Sequence, residues 1–103
     1  MGNMDDDQHK EAREHWEDKA NMLLLGRRIV KVYWMSAAEC EKRYGWYKRP
    51  VCMMLDDGTV IIPQQDDEGN DGGALLHVNP KETETSKHYP GQKFIKTDVL
   101  PVF

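Results

Sequence analysis

Val51-Cys52-Met53-Met54-Leu55-Asp56-Asp57-Gly58-Thr59-Val60-Ile61-Ile62 reads as two apolar runs joined by an Asp-Gly reversal. The β-branched and apolar content favours strands. Asp57-Gly58 as the central pair of a type I′ turn makes them a hairpin, with Leu55 opposite Val60 and Met54 opposite Ile61. Both runs are apolar on both faces, which predicts a place in the middle of a closed or covered sheet. The chain then enters Gln64-Gln65-Asp66-Asp67-Glu68-Gly69-Asn70-Asp71-Gly72-Gly73, an acidic, glycine-rich loop, and continues into a fourth strand over residues 74–78.

Upstream of the hairpin, residues 28–35 alternate Val30, Val32 and Trp34 with Ile29, Lys31, Tyr33 and Met35, the period of a strand. Ser36-Ala37-Ala38-Glu39 is a capping box, so a short helix is predicted over residues 37–44, ended by Gly45, with Ala37, Cys40 and Tyr44 inward. Residues 5–24 have helical composition, with Asp5, Asp6 and Asp7 as N-caps and Gly26 beyond the end. The apolar stripe of that helix is thin: Ala12, Trp16, Ala20 and Leu23 or Leu24. It needs a surface to dock on, either the rest of the domain or a partner chain. Residues 79–98 show no clear period and are predicted as a long loop or insertion, either a mobile excursion or a turn pinned by Phe94 and Ile95. A final strand over residues 99–103 is confined by Pro101 to an edge or strand end.

These elements predict one domain of 103 residues that is mainly β in an α+β arrangement. It comprises an N-terminal helix (1–24), a β core (26–78), the 79–98 segment and the last strand (99–103). The expected architecture is a small SH3-like or partly open β-barrel of about five strands with one short inserted helix. A four-stranded sheet with the long helix on one face is the runner-up.

Apolar residues make up 39% and charged residues 31%, so the core must be modest and self-association would help it. No run approaches the ~20 apolar residues of a membrane span, and a cytoplasmic location is expected. Cys40 and Cys52 lack a C-x-x-C spacing and sit in apolar patterns, as buried reduced thiols do. The net charge of −4 is segregated: residues 1–20 carry −4, residues 21–50 carry +5, residues 51–80 carry −6 and residues 81–103 carry +1. In a small domain these segments compensate one another.

The segments Leu25-Gly26-Arg27-Arg28-Ile29-Val30-Lys31-Val32-Tyr33-Trp34-Met35, Gly45-Trp46-Tyr47-Lys48-Arg49-Pro50-Val51, Leu55-Asp56-Asp57-Gly58-Thr59 and Asp66-Asp67-Glu68-Gly69-Asn70-Asp71-Gly72-Gly73-Ala74-Leu75 resemble a family of small uncharacterised bacterial and phage proteins. The resemblance covers roughly residues 23–76, with a weaker echo in Val99-Leu100-Pro101-Val102. It implies a compact β domain of bacterial or phage origin, and it supplies no catalytic residues. Relatives of that pattern have little between the fourth strand and the final Leu-Pro-Val, so residues 79–98 depart from it.

Carboxylates and an Asn carbonyl on a glycine-hinged turn can converge on a hard cation. The loop fails the EF-hand spacing, because starting at Asp67 the third ligand position is Gly69 and the twelfth is Val78. Turn chemistry accounts for the same residues without a metal, and no cofactor is expected. Lys42-Arg43-Tyr44-Gly45-Trp46-Tyr47-Lys48-Arg49 interleaves cations with aromatics, as single-strand nucleic-acid binders do, although the chain as a whole is acidic. Trp46 and Tyr47 are better read as plugging one end of the barrel, with Arg49 paired to a carboxylate.

The expected function is a non-enzymatic binding or regulatory module acting on a host protein or a small ligand. Its first contacts would be Asp66, Asp67, Glu68, Asn70 and Asp71, followed by Trp46, Tyr47 and Arg49. A metal- or small-ligand-dependent enzyme using the acidic loop is the alternative, and nucleic-acid binding through residues 42–49 is a third reading. Uncovered sheet edges would suit a homodimer.

Overall fold

The computed structural model describes residues 9–85, 91 and 93–103. Helix α1 spans Lys10–Leu24, and its expected start at Asp5 lies outside the described residues. It stops where anticipated: Leu25 is extended and Gly26 takes a positive φ of 77°, while the Arg27 amide bonds back to the Leu24 carbonyl at 3.1 Å. No residue of α1 is buried, which fits its thin stripe.

A three-stranded antiparallel sheet follows, in the order β1 (Ile29–Trp34), β2 (Val51–Leu55), β3 (Val60–Ile61). Pairing of β1 with β2 slips between Ile29 and Lys31, so Val30 is the extra residue of a bulge on the outer strand. The short helix splits in two. Ala37–Glu39 is α-helical (α2), with the Ser36 hydroxyl accepting from the Glu39 amide at 3.1 Å, and Cys40–Tyr44 forms a π turn closed by Gly45 at φ 68°. The wider π turn leaves Cys40 alone facing inward, while Ala37 is exposed and Tyr44 lies stacked on Trp46.

The hairpin exists, but its turn differs from the expected one. Met53 pairs with Ile61 and Met54 with Val60, one residue off the expected register. Asp57 does not reach positive φ, as a type I′ turn requires; Gly58 does, at 86°. The Gly58 amide bonds to the Leu55 carbonyl at 3.0 Å and the Leu55 amide to the Thr59 carbonyl at 2.8 Å. That is a three-residue loop, a type I turn followed by a left-handed glycine. Asp57 selects it, because its carboxylate accepts from the Thr59 amide (3.0 Å) and hydroxyl (2.6 Å). The Thr59 hydroxyl, then the Thr59 amide, and more weakly Arg27, hold the Asp57 carboxyl below its ordinary range. β3 is consequently a two-residue edge strand and not a central one.

The largest departure lies beyond residue 78. The predicted loop over 79–98 and the strand over 99–103 are replaced by a second sheet, an antiparallel ribbon of β4 (Leu75–Thr85) and β5 (Lys93–Leu100). Register slips between Asn79 and Thr83, around Pro80, which cannot donate a ladder bond. β5 ends at Leu100, immediately before Pro101. Over the described residues the fold is therefore mixed α+β, mainly strands, in two small sheets and no closed barrel.

Met35, Cys40, Trp46, Val51, Cys52 and Leu55 form the buried apolar set among the described residues, with Tyr33 and Ile62 packed against its centre. Cys40 and Cys52 are both buried free thiols, as expected. Burial raises both thiols and the Tyr33 phenol above their ordinary values. No described helix is long and apolar enough to cross a membrane.

With so few buried side chains, each carries a large share of stability. Met35→Ala, at a fully buried position, should cost about 2–5 kcal/mol in urea unfolding. Val30→Ala, on the exposed bulge, should stay within about 0.5 kcal/mol of the parent.

Candidate functional site

The acidic loop returns to the core through its backbone. Gln64 bridges to Gly72, the Gln65 amide bonds to the Asp71 carbonyl at 2.9 Å, and the Gly73 amide to the Pro63 carbonyl at 3.0 Å. The close approach requires the two glycines. A Cβ on Gly72 would lie 2.5 Å from the Lys48 carbonyl oxygen, and one on Gly73 would lie 2.6 Å from that of Gln64.

Within the loop, Asp66 acts as the turn's hub. One of its oxygens accepts from the amides of Glu68 (3.0 Å) and Asn70 (3.3 Å), and the other accepts from the Asn70 side-chain amide (2.8 Å). These bonds, led by that from the Asn70 side chain, hold its carboxyl below the ordinary range. Asn70 also donates to Glu68 at 3.3 Å. Asp71 reaches outward to the neighbouring segment: one oxygen accepts from the amides of Tyr47 (3.2 Å), Lys48 (2.9 Å) and Gly72 (2.8 Å). The Lys48 amide is the chief cause of its lowered pKa.

Trp46 completes the attachment. Its indole is 6% exposed and its Nε1–H donates to the Gly69 carbonyl at 2.7 Å. The expected pairing of the two aromatics at one end of the core does not hold, for Tyr47 is 94% exposed while Trp46 lies inside. Nor, among the described residues, is Arg49 bonded to a carboxylate as expected: its Nε donates to the Met35 carbonyl at 2.7 Å.

The residues singled out by sequence are thus brought together, in two roles. Asp66, Asn70, Asp71 and Trp46 build the rim, whereas Asp67, Glu68 and Tyr47 are displayed on it. Arg49 stands half-buried beside Tyr47, and both line a cleft of about 360 Å³ with Ala37, Cys40, Glu41, Gly45 and Trp46. Gly69, Gly72 and the Lys48 amide were not anticipated as parts of the site, although the Gly72-Gly73 pair signalled a tight approach.

Asp66 and Asp71 are engaged by amides, and no His/Cys/Asp/Glu cluster suited to a metal ion occurs among the described residues. Of the aromatics in residues 42–49, Tyr44 and Trp46 stack on each other at 4.5 Å, which leaves Tyr47 as the open ring. Arg43 lies 3.8 Å from Glu39.

Because the Asp57, Asp66 and Asp71 carboxyls titrate lower folded than unfolded, their stabilising bonds are present above ~4 and lost as pH falls through the folded values. Melting temperature should therefore fall on acidification below about pH 4. Asp71→Asn should lower it at neutral pH and flatten that acid limb. Trp46→Phe, which keeps a ring but loses the donor, should cost about 1–3 kcal/mol and speed amide exchange in residues 69–73. No protein-family model, no curated protein and no solved structure matches this chain.

Proposed function

We propose that the chain is a small non-enzymatic binding module that presents its acidic rim to a protein partner. One observation carries this reading. The Asp71 carboxylate clamps the amides of Tyr47 and Lys48, so the backbone of an almost fully exposed tyrosine is tied to the loop that also carries Asp67 and Glu68. An amphipathic ring fixed in advance adds contact area with little ordering cost on binding. The carboxylates displayed on that loop favour a partner surface rich in Lys or Arg.

The same reading takes the sheet and the ribbon as a small, partly open SH3-like barrel. They meet where the Trp34 indole donates to the Pro101 carbonyl (2.9 Å) and Arg49 and Phe103 exchange backbone bonds (2.8 and 3.1 Å). A bacterial or phage origin and action on a host protein accord with the sequence resemblance. A cysteine nucleophile is disfavoured, because burial raises the pKa of both thiols. A small ligand in the cleft beside Tyr47 and Arg49 is the second reading, favoured by that cleft alone.

Tyr47→Ala and the double variant Asp67→Ala/Glu68→Ala should each weaken capture of a partner from cell lysate by roughly ten- to thirty-fold, as loss of an interface anchor does. Melting temperature should be nearly unchanged for these exposed positions. Capture that is indifferent to all three substitutions removes the rim from the interface. A strong thermal shift with a metabolite, together with no protein captured, transfers the site to the small ligand.

A further inference from the structure

Helix α1 keeps its charges on separate sides. Ala12, Arg13, Lys19, Ala20 and Leu23 stand three, four or seven positions from Trp16 and share its face. That face holds two cations and no acid, while Glu11, Glu14, Glu17 and Asp18 fall on the flanks and back of the helix. The Lys19 ammonium rests over the Trp16 ring at 5.3 Å, so ring and cation form one patch. The patch is in water: Trp16 is 61% exposed and no residue of α1 is buried. A helix of 15 residues is marginal unless such a face packs on something.

Opposite that face lies the acidic loop. The last turn of α1 lines one crevice with Leu55, Val60 and Ile61, and farther up the helix Trp16 lines a second, of about 560 Å³, with Gln64 and Asp67. α1 therefore runs beside β3 and the chain that leaves it, and its Trp16 patch meets the loop across a gap. The charges are complementary. Asp66 and Asp71 are committed to amides, whereas Asp67 makes no hydrogen bond or ion pair among the described residues. The helix also has a pivot: Leu25 is extended, Gly26 takes a φ of 77°, and Arg27 just beyond is held by Asp56 and Asp57 at 3.8 and 3.4 Å.

We infer that α1 is a strap that closes on the acidic loop, seating Trp16 against Gln64 and Lys19 against Asp67, and so competes with a basic partner for the rim. The inference rests on the reading of that rim as a binding surface. Closure removes the Trp16 ring and the crevice walls from water. It also brings the cationic face of α1 to carboxylates that favour exactly such a surface on a partner. Only the open form admits the partner, whose apparent affinity is lowered by the open fraction.

The full chain labelled with 5-fluorotryptophan gives a fluorine resonance for each of its three tryptophans, and Trp16→Phe identifies that of Trp16. Raising salt from about 20 mM to about 500 mM, which shortens the screening length several-fold, should move that signal toward the position of the free amino acid. Lys19→Glu and Asp67→Lys should each do the same, and Lys19→Glu/Asp67→Lys should restore it. Competition is read with a fluorescein-labelled octalysine peptide. Trp16→Ala, which changes no charge, should bind the peptide roughly five- to ten-fold more tightly than the parent, the ratio set by an open fraction of about 0.1–0.2. Adding Asp67→Ala/Glu68→Ala to Trp16→Ala should cancel that gain. A Trp16 signal indifferent to Lys19→Glu and Asp67→Lys, or not restored by the charge swap, overturns the strap and leaves the rim standing. So does a signal that changes with protein concentration, which assigns the face to a second copy. Equal peptide affinity in parent and Trp16→Ala overturns the competition. A peptide bound by no variant, or bound without regard to Asp67 and Glu68, removes the rim reading and this inference with it.

Discussion

Trp46 is where the structure is tied together. Its ring lies in a core of only a few side chains, its indole N–H holds the Gly69 carbonyl, and its own carbonyl lies 3.4 Å from the Cys40 sulfur. The π turn, the central strand and the acidic loop therefore share one anchor. In a domain with such a small interior, that sharing has an energetic reason. Loop closure costs chain entropy, and a hydrogen bond on the exposed rim returns little of it. A bond made by a buried, well-packed indole is better protected from competing water. The Asp71 carboxylate then extends the same anchor outward to the amides of Tyr47 and Lys48.

The hairpin, the capping box and the glycine stops of both helical segments were legible in the sequence because each depends on neighbours within a few positions. The hairpin's register was not legible. An Asp-Gly pair serves both a two-residue I′ turn and a three-residue turn ending in left-handed glycine, and the choice fell to the Asp57 carboxylate and its bonds to Thr59. Residues 79–98 hid their strands for another reason. Where Thr83, Glu84 and Thr85 pair with Ile95, Phe94 and Lys93, polar residues take most positions of the ribbon, so no apolar alternation betrays it. The β-branched content of that stretch, Thr83, Thr85, Ile95 and Thr97, was the signal available.

The acidic loop shows the same division. Its turn chemistry was readable as Asp and Asn bonding to their own backbone, and Asp66 does this. Its attachment was not readable, because Trp46 and Gly69 are 23 positions apart and Tyr47 and Asp71 are 24 apart. A row of like carboxylates reads as one chemical unit in the sequence. Folding commits Asp66 and Asp71 to backbone amides, so the row divides into carboxylates that build the loop and carboxylates displayed on it.

Arg49 links the two ends of this organisation. Its backbone exchanges bonds with Phe103, its Nε holds the Met35 carbonyl, and it is two residues from Tyr47. The segment that carries the ribbon back to the sheet is thus fastened to the same strand entry that presents the rim. Trp34 reinforces the junction by donating to Pro101 and packing edge-on against the Phe103 ring at 5.7 Å. These few polar bonds and one aromatic contact orient a ribbon with little core of its own, so the ribbon belongs to the less stable part of the molecule.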